Sequence, residues 1–193
     1  MAFSKLSKFT ALASLALAGT VLTAIPTLTF AQSNSGITIF SGVNNREDIL
    51  DYHIDFPNPN TRSRYKLRIP ATKLELGVSQ IVILYPAYYR GRLDTDEITV
   101  GYGSDYREEA AIEEVVLEEN AIVLREQGRD QPYHRLHIYL SETIEAENQV
   151  QIKLENVRNP QWGGTFYFHA RLLSPGDVPL PRYAGTWILT LNY

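Results

Sequence analysis

Asp51, His53 and Asp55 stand at alternate positions in the stretch DYHIDF. In a β-strand alternate residues project to one face, roughly 6–7 Å apart. A carboxylate–imidazole–carboxylate row of that kind suits a divalent ion such as zinc or manganese. These three are the candidate metal ligands, and the competing reading is a solvated charged face on an outer strand. A second oxygen-rich group, Asp94-Thr95-Asp96-Glu97 with Asp105, has the donors for calcium but not the D-x-D-x-D-G spacing of a calcium loop. It reads more simply as an acidic loop. His134 and His137 are three apart and face opposite sides of a strand, so they do not pair as ligands.

The other chemistry is aromatic. The chain holds 12 Tyr and 2 Trp, and several stand beside turns: Tyr85, Tyr88, Tyr89, Tyr102, Tyr106, Trp162 and Tyr183. AYYRGR puts Arg90 and Arg92 next to the adjacent Tyr88 and Tyr89. Exposed rings with a nearby guanidinium can stack on sugars and bond their hydroxyls. Trp162, Tyr88, Tyr89 and Arg90 are therefore the candidate ligand-binding residues, against the plainer reading of strand-end packing. Trp162 lies in NPQWGGTFYF, where Asn159 can bond its own backbone and Pro160 fixes a turn. Gly163 and Gly164 allow a positive φ and so suit a bulge or tight corner. The corner explains every residue except the Trp, which either packs down as a lid on the core or stands out as a stacking platform. The lid is the commoner outcome. A Gly-Gly pair without Lys-Ser/Thr is no phosphate loop.

Hydrolytic signatures are missing: no G-x-S-x-G, no H-E-x-x-H and no S-x-x-K with its partner motifs occurs. With no Cys in the chain, thiolate metal sites, Cys nucleophiles and disulfides are excluded. Any carboxylate pair among 22 acids could cleave a glycoside, but nothing singles one out. An enzyme is the less expected reading, and no cofactor is called for.

The elements that must position these residues read as strands. Alternating or apolar segments recur between turn signals: DYHIDF, YKLRI, SQIVILYP, EITVGYG, HRLHIYL, QVQIKLEN, GTFYFHARLL and TWILTLNY. SQIVILYP reads as a strand buried on both faces and ended by Pro86. AIEEVVLEENAIVLRE mixes helix formers with β-branched residues and reads as a hairpin turning at Glu118–Ala121, where Asn120 tolerates a left-handed backbone. Strands with one apolar face each predict an all-β, antiparallel two-sheet sandwich, of which the immunoglobulin-like arrangement is one form. Upstream, Lys5 and Lys8 precede an uncharged, apolar run that ends in Thr29-Phe30-Ala31, which predicts a signal peptide over 1–31. The remainder, 32–193, is expected to be a single domain with a formal charge of −6, which gives no reason to expect nucleic acid. No second apolar run has the length of a transmembrane helix.

The segments DYHIDF, RYKLRIP, VSQIVILYP, NVRNPQWGGTFYF and LSPGDVPLPRYAGTWILTL, in this order, resemble a family of secreted or cell-envelope cyanobacterial proteins known only as a domain of unknown function. The likeness spans about Asp51 to Leu191, and its most specific parts are the Asn-Pro-x-x-Gly-Gly corner and the Pro-Arg-Tyr-x-Gly-Thr-Trp ending. The resemblance implies export and a β-sandwich; it brings no activity and no catalytic residues. The expectation is a secreted, periplasmic or envelope-associated module that binds a polysaccharide or an envelope protein without catalysis. The alternatives are a metal-dependent hydrolase or metal carrier on Asp51, His53 and Asp55, and an accessory partner of a membrane complex.

Overall fold

A computed structural model describes residues 45–126, 128–176 and 181–192. The predicted signal peptide, 1–31, lies outside the described residues. Ten strands run in chain order: β1 (Tyr52–Ile54), β2 (Arg62–Ile69), β3 (Val78–Pro86), β4 (Ile98–Tyr102), β5 (Glu108–Ala110), β6 (Ile112–Glu126), β7 (Arg129–Ile144), β8 (Val150–Arg158), β9 (Gly164–Leu173) and β10 (Pro181–Leu191). They form two five-stranded sheets, ordered β1-β2-β8-β4-β5 and β10-β9-β3-β7-β6. Every ladder is antiparallel. The chain is an all-β, two-sheet sandwich, as the alternation predicts.

The inner faces supply the core. From the first sheet come Tyr65, Leu67, Ile69, Val100, Ile152 and Leu154; from the second come Ile81, Ile83, Leu136, Ile138, Phe168 and Trp187, all fully buried. Burying each such side chain contributes about 1.5–3 kcal/mol, and with no disulfide available this packing must carry the fold. β3 is buried on both faces, as its continuous apolar run requires. Its outward Val82 and Leu84 join Leu124 and Tyr133 in a second, smaller cluster.

The structure corrects three local expectations. AIEEVVLEENAIVLRE is not a hairpin but one long strand, β6, which pairs with β7 along its length. Between Glu118 and Ile122 the register slips, and Asn120 takes its left-handed backbone (φ 50°) there. Its N–H donates to His134 Nδ1 at 3.1 Å. The turn chemistry was real, but it makes a bulge that bends the strand. DYHIDF extends only as far as Ile54, because Pro57 follows and Phe56 leaves the sheet to lie 60 % exposed rather than sharing the face of Tyr52 and Ile54. Neither Gly163 nor Gly164 adopts a positive φ. Gly163 is needed for proximity instead: a Cβ there would collide with the backbone carbonyl of Asn192.

Candidate functional site

An aromatic hollow opens at the end of the sandwich where β3 finishes and β9 begins. After Pro86 the chain makes a short 3-10 turn, Ala87–Tyr89, and Arg90 leaves it in the left-handed region at φ 49°. The turn splits the two tyrosines. Tyr89 points inward and is fully buried, edge-on to Phe166 and Phe168 with centroids 5.1 Å away from each. Tyr88 points outward, 42 % exposed, with its ring 5.9 Å from Phe166.

The opposite wall is the Asn159–Gly164 corner, which a chain of hydrogen bonds holds in place. Tyr65 donates to Asn159 Oδ1 at 2.7 Å, so the 2.9 Å bond between Tyr65 and Tyr89 must be donated by the Tyr89 hydroxyl. Asn159 Nδ2 in turn donates to the carbonyls of Phe56 (2.8 Å) and Asn58 (2.7 Å). Backbone bonds from Asn60 N–H to the Pro160 carbonyl and from Asn159 N–H to the Thr61 carbonyl, both 2.9 Å, lash the corner to the Pro57–Thr61 turn. Asn159 thus spans elements distant in sequence instead of bonding its own backbone, as its turn position suggests. Burial pushes the Tyr65 and Tyr89 hydroxyls well above the ordinary tyrosine range, and each also neighbours the other's oxygen. Both therefore stay neutral donors at any physiological pH.

On this hydrogen-bonded base Trp162 stands 75 % exposed, the most exposed large apolar side chain described. It stands out from the corner instead of packing down as the expected lid. A hollow of about 540 Å³ lies among Tyr88, Arg90, Pro160, Trp162, Thr165 and Phe166, with Tyr89 also contributing to its wall. The structure thus gathers all four sequence-nominated residues, with one correction. Tyr89 is a buried support, committed to Tyr65 and two Phe rings, and offers no free face for stacking. Trp162, Tyr88 and Arg90 reach solvent.

The nominated metal ligands behave otherwise. Asp51 pairs with Arg68, and Asp55 lies 3.5 Å from Arg64, 3.9 Å from Lys66 and 3.3 Å from His53 Nε2. The strand face that carries them is faced by the basic side chains of β2, which already occupy the carboxylates. Among the described residues no group of three His, Asp or Glu side chains is placed to hold a metal ion. Asp94 accepts from Asn156 at 2.7 Å and Asp105 pairs with Arg107, so the two acidic loops do not converge on one ion. His134 packs on Tyr85 while His137 bonds Gln80 on the other face, as their spacing requires.

Reading by residue type missed the neighbours of the hollow. A second depression of about 380 Å³, lined by Asn60, Arg90, Arg92, Arg158, Asn159 and Gln161, shares Arg90 and Gln161 with the first. A third, also about 380 Å³, continues past Arg92 and Arg158 to Arg62, Asp94 and Asp96. Arg62 and Arg158 are 96 positions apart in the chain; only strand register brings them together.

Among solved structures, the fold is similar to the bacterial hydrophobin BslA, at 15 % identity and a TM-score of 0.43 over 75 % of this chain and 92 % of that one. It is also similar to the collagen-binding subdomain of the Enterococcus faecalis surface protein ACE, at 10 % identity and a TM-score of 0.39 over 72 % and 96 %. A third is an uncharacterised Nocardia farcinica protein with an immunoglobulin-like fold, at 9 % identity and a TM-score of 0.36 over 75 % and 98 %. Comparison with curated proteins finds no match. Among the described residues no helix is long and apolar enough to cross a membrane. The model of the family of proteins of unknown function DUF2808 matches residues 37–191, nearly all of the sandwich and the corner that carries Trp162, and the chain belongs to that family.

Proposed function

We propose that this protein is a non-catalytic module of the cell envelope, exported by a signal peptide over 1–31 with 32–193 as its single domain, and that it binds a polysaccharide in the hollow between Tyr88 and Trp162. The observation that carries this reading is the exposure of Trp162 on a corner that the buried Asn159 ties to the Pro57–Thr61 turn. A large apolar ring left in water is unfavourable, and such rings serve as platforms for ligands with an apolar face. Sugar rings have such a face, with hydroxyls at their edges for Arg90, Gln161 and Thr165. A protein partner of the envelope is the second occupant considered, and the small size of the hollow favours the glycan.

Retention of the purified protein on immobilised envelope polysaccharide tests this. Wild type is retained, and Trp162→Ala and Tyr88→Ala elute early while melting at the wild-type temperature. Equal retention of all three rejects the aromatic platform.

A further inference from the structure

The two depressions beside the Trp162 hollow share a feature that packing does not explain. In the β2–β8 ladder Arg62 is the direct partner of Arg158. On the other side of Arg158, Arg92 forms an isolated antiparallel bridge, with both N–H···O bonds at 2.9 Å. Directly opposed residues of an antiparallel pair project to the same face. Arg62, Arg158 and Arg92 therefore form one cross-strand row of three like charges, all exposed, and like charges directly opposite one another are destabilising.

No ion pair among the described residues reaches the row. The ion pairs of the described residues use other cations. Arg62 donates to the amide of Asn156 and Arg158 to the amide of Asn60, both neutral acceptors. The chain as a whole is acidic, at −4. Asp94 and Asp96 line the third depression beside all three arginines, but Asp94 accepts from the Asn156 amide rather than from a guanidinium. The middle depression is lined by three arginines and three side-chain amides and by no carboxylate. It is also the one that runs into the Trp162 hollow through Arg90 and Gln161.

We infer that the middle depression binds carboxylate groups, and that the glycan of this surface is acidic: a uronate-bearing polysaccharide whose rings lie on Trp162 and Tyr88 while a carboxylate of a neighbouring residue sits between Arg90, Arg92 and Arg158. The inference rests on the glycan reading above and specifies its substrate class. A guanidinium presents a planar fork that matches a carboxylate with two parallel hydrogen bonds. An anion in the row turns its mutual repulsion into attraction, so affinity falls as added salt screens the charges. A flexible acidic peptide satisfies the arginines but leaves the aromatic hollow unused.

Titration calorimetry with an oligogalacturonate, its fully methyl-esterified counterpart and polyglutamate tests the inference on the whole domain. The acidic oligosaccharide is expected to bind at least tenfold tighter than the ester. Arg92→Gln abolishes that preference, and Trp162→Ala weakens both sugars. A melt beside wild type verifies that each variant is folded. Equal affinity for acid and ester overturns the acidic inference and leaves the glycan reading standing. Binding of polyglutamate as tight as the oligogalacturonate and insensitive to Trp162→Ala, or binding of neither sugar, overturns both.

Discussion

Trp162 and Asn159 sit three residues apart and have opposite jobs. Trp162 touches solvent over most of its surface, so its removal should leave stability within about 0.5 kcal/mol of wild type and show only in binding. Asn159 is 2 % exposed and satisfies Tyr65, Phe56 and Asn58 at once. Asn159→Ala strands a buried hydroxyl and two carbonyls, which should cost about 2–3 kcal/mol and lower the thermal midpoint by several degrees. Chemical denaturation of the two variants beside wild type checks both: an Asn159→Ala chain as stable as wild type removes the hydrogen-bond chain from the account. The sequence marks both residues as unusual but not their roles. A Trp at a turn packs down or stands out according to what lies beneath it, which the local sequence does not show, and here it stands out while Tyr89 and Phe166 pack edge to face. Asn159 has the signature of a self-contained turn, and its long-range partners become visible only once the Pro57–Thr61 turn is placed against it.

Strands were legible where alternation was strict. GTFYFHARLL becomes β9 with Phe166, Phe168, Ala170 and Leu172 on the buried face, because period-two patterning leaves no competing register. β6 was harder, since a left-handed Asn serves a turn and a bulge equally well, and the 16-residue partner β7 decides between them. The glycine pair illustrates the same limit. A corner was expected, with the freedom to take a positive φ as the reason for glycine; the actual constraint is the close passage of Gly163 by Asn192, which the Asn192 N–H to Pro57 carbonyl bond of 2.8 Å holds in place. Gly163→Ala should therefore cost about 1–3 kcal/mol by overpacking. At Gly164 an added Cβ would come within 3.3 Å of the Phe166 ring, so Gly164→Ala should cost less. Gln161→Ala, on the exposed tip, should leave the midpoint unchanged. Thermal melts of the three variants check the order, and a Gly163→Ala chain that melts with wild type contradicts it.

The molecule as a whole depends on buried tyrosines remaining neutral. Burial raises the hydroxyls of Tyr65, Tyr85 and Tyr89 far above their ordinary value of 10.0. An unfolded chain releases these protons near pH 10 while the folded chain keeps them, so the folded state binds more protons and stability falls as pH rises. The contribution is fully present below pH 10 and is lost above it, at about 1.4 kcal/mol per pH unit for each such tyrosine. The thermal midpoint should be insensitive to these groups through neutral pH and fall steeply in alkali, with their tyrosinate absorbance appearing only as the chain unfolds. Ionisation of every tyrosine near pH 10 in a chain that is still folded contradicts this. At this scale the sequence shows the acidic net charge but hides its distribution, because the row of Arg62, Arg158 and Arg92 is assembled from three distant segments.

Quenching of tryptophan fluorescence by acrylamide tests the central claim most directly, because the two tryptophans report opposite environments. Trp187 is fully buried, with its Nε1 donating to the Arg68 carbonyl at 3.0 Å, and Trp162 is exposed. The free protein should show one accessible and one shielded emitter. Adding envelope polysaccharide should shield the accessible one, and the effect should vanish in Trp162→Ala. If the glycan is retained by the protein while Trp162 stays as open to acrylamide as before, the hollow between Tyr88 and Trp162 is not where it binds.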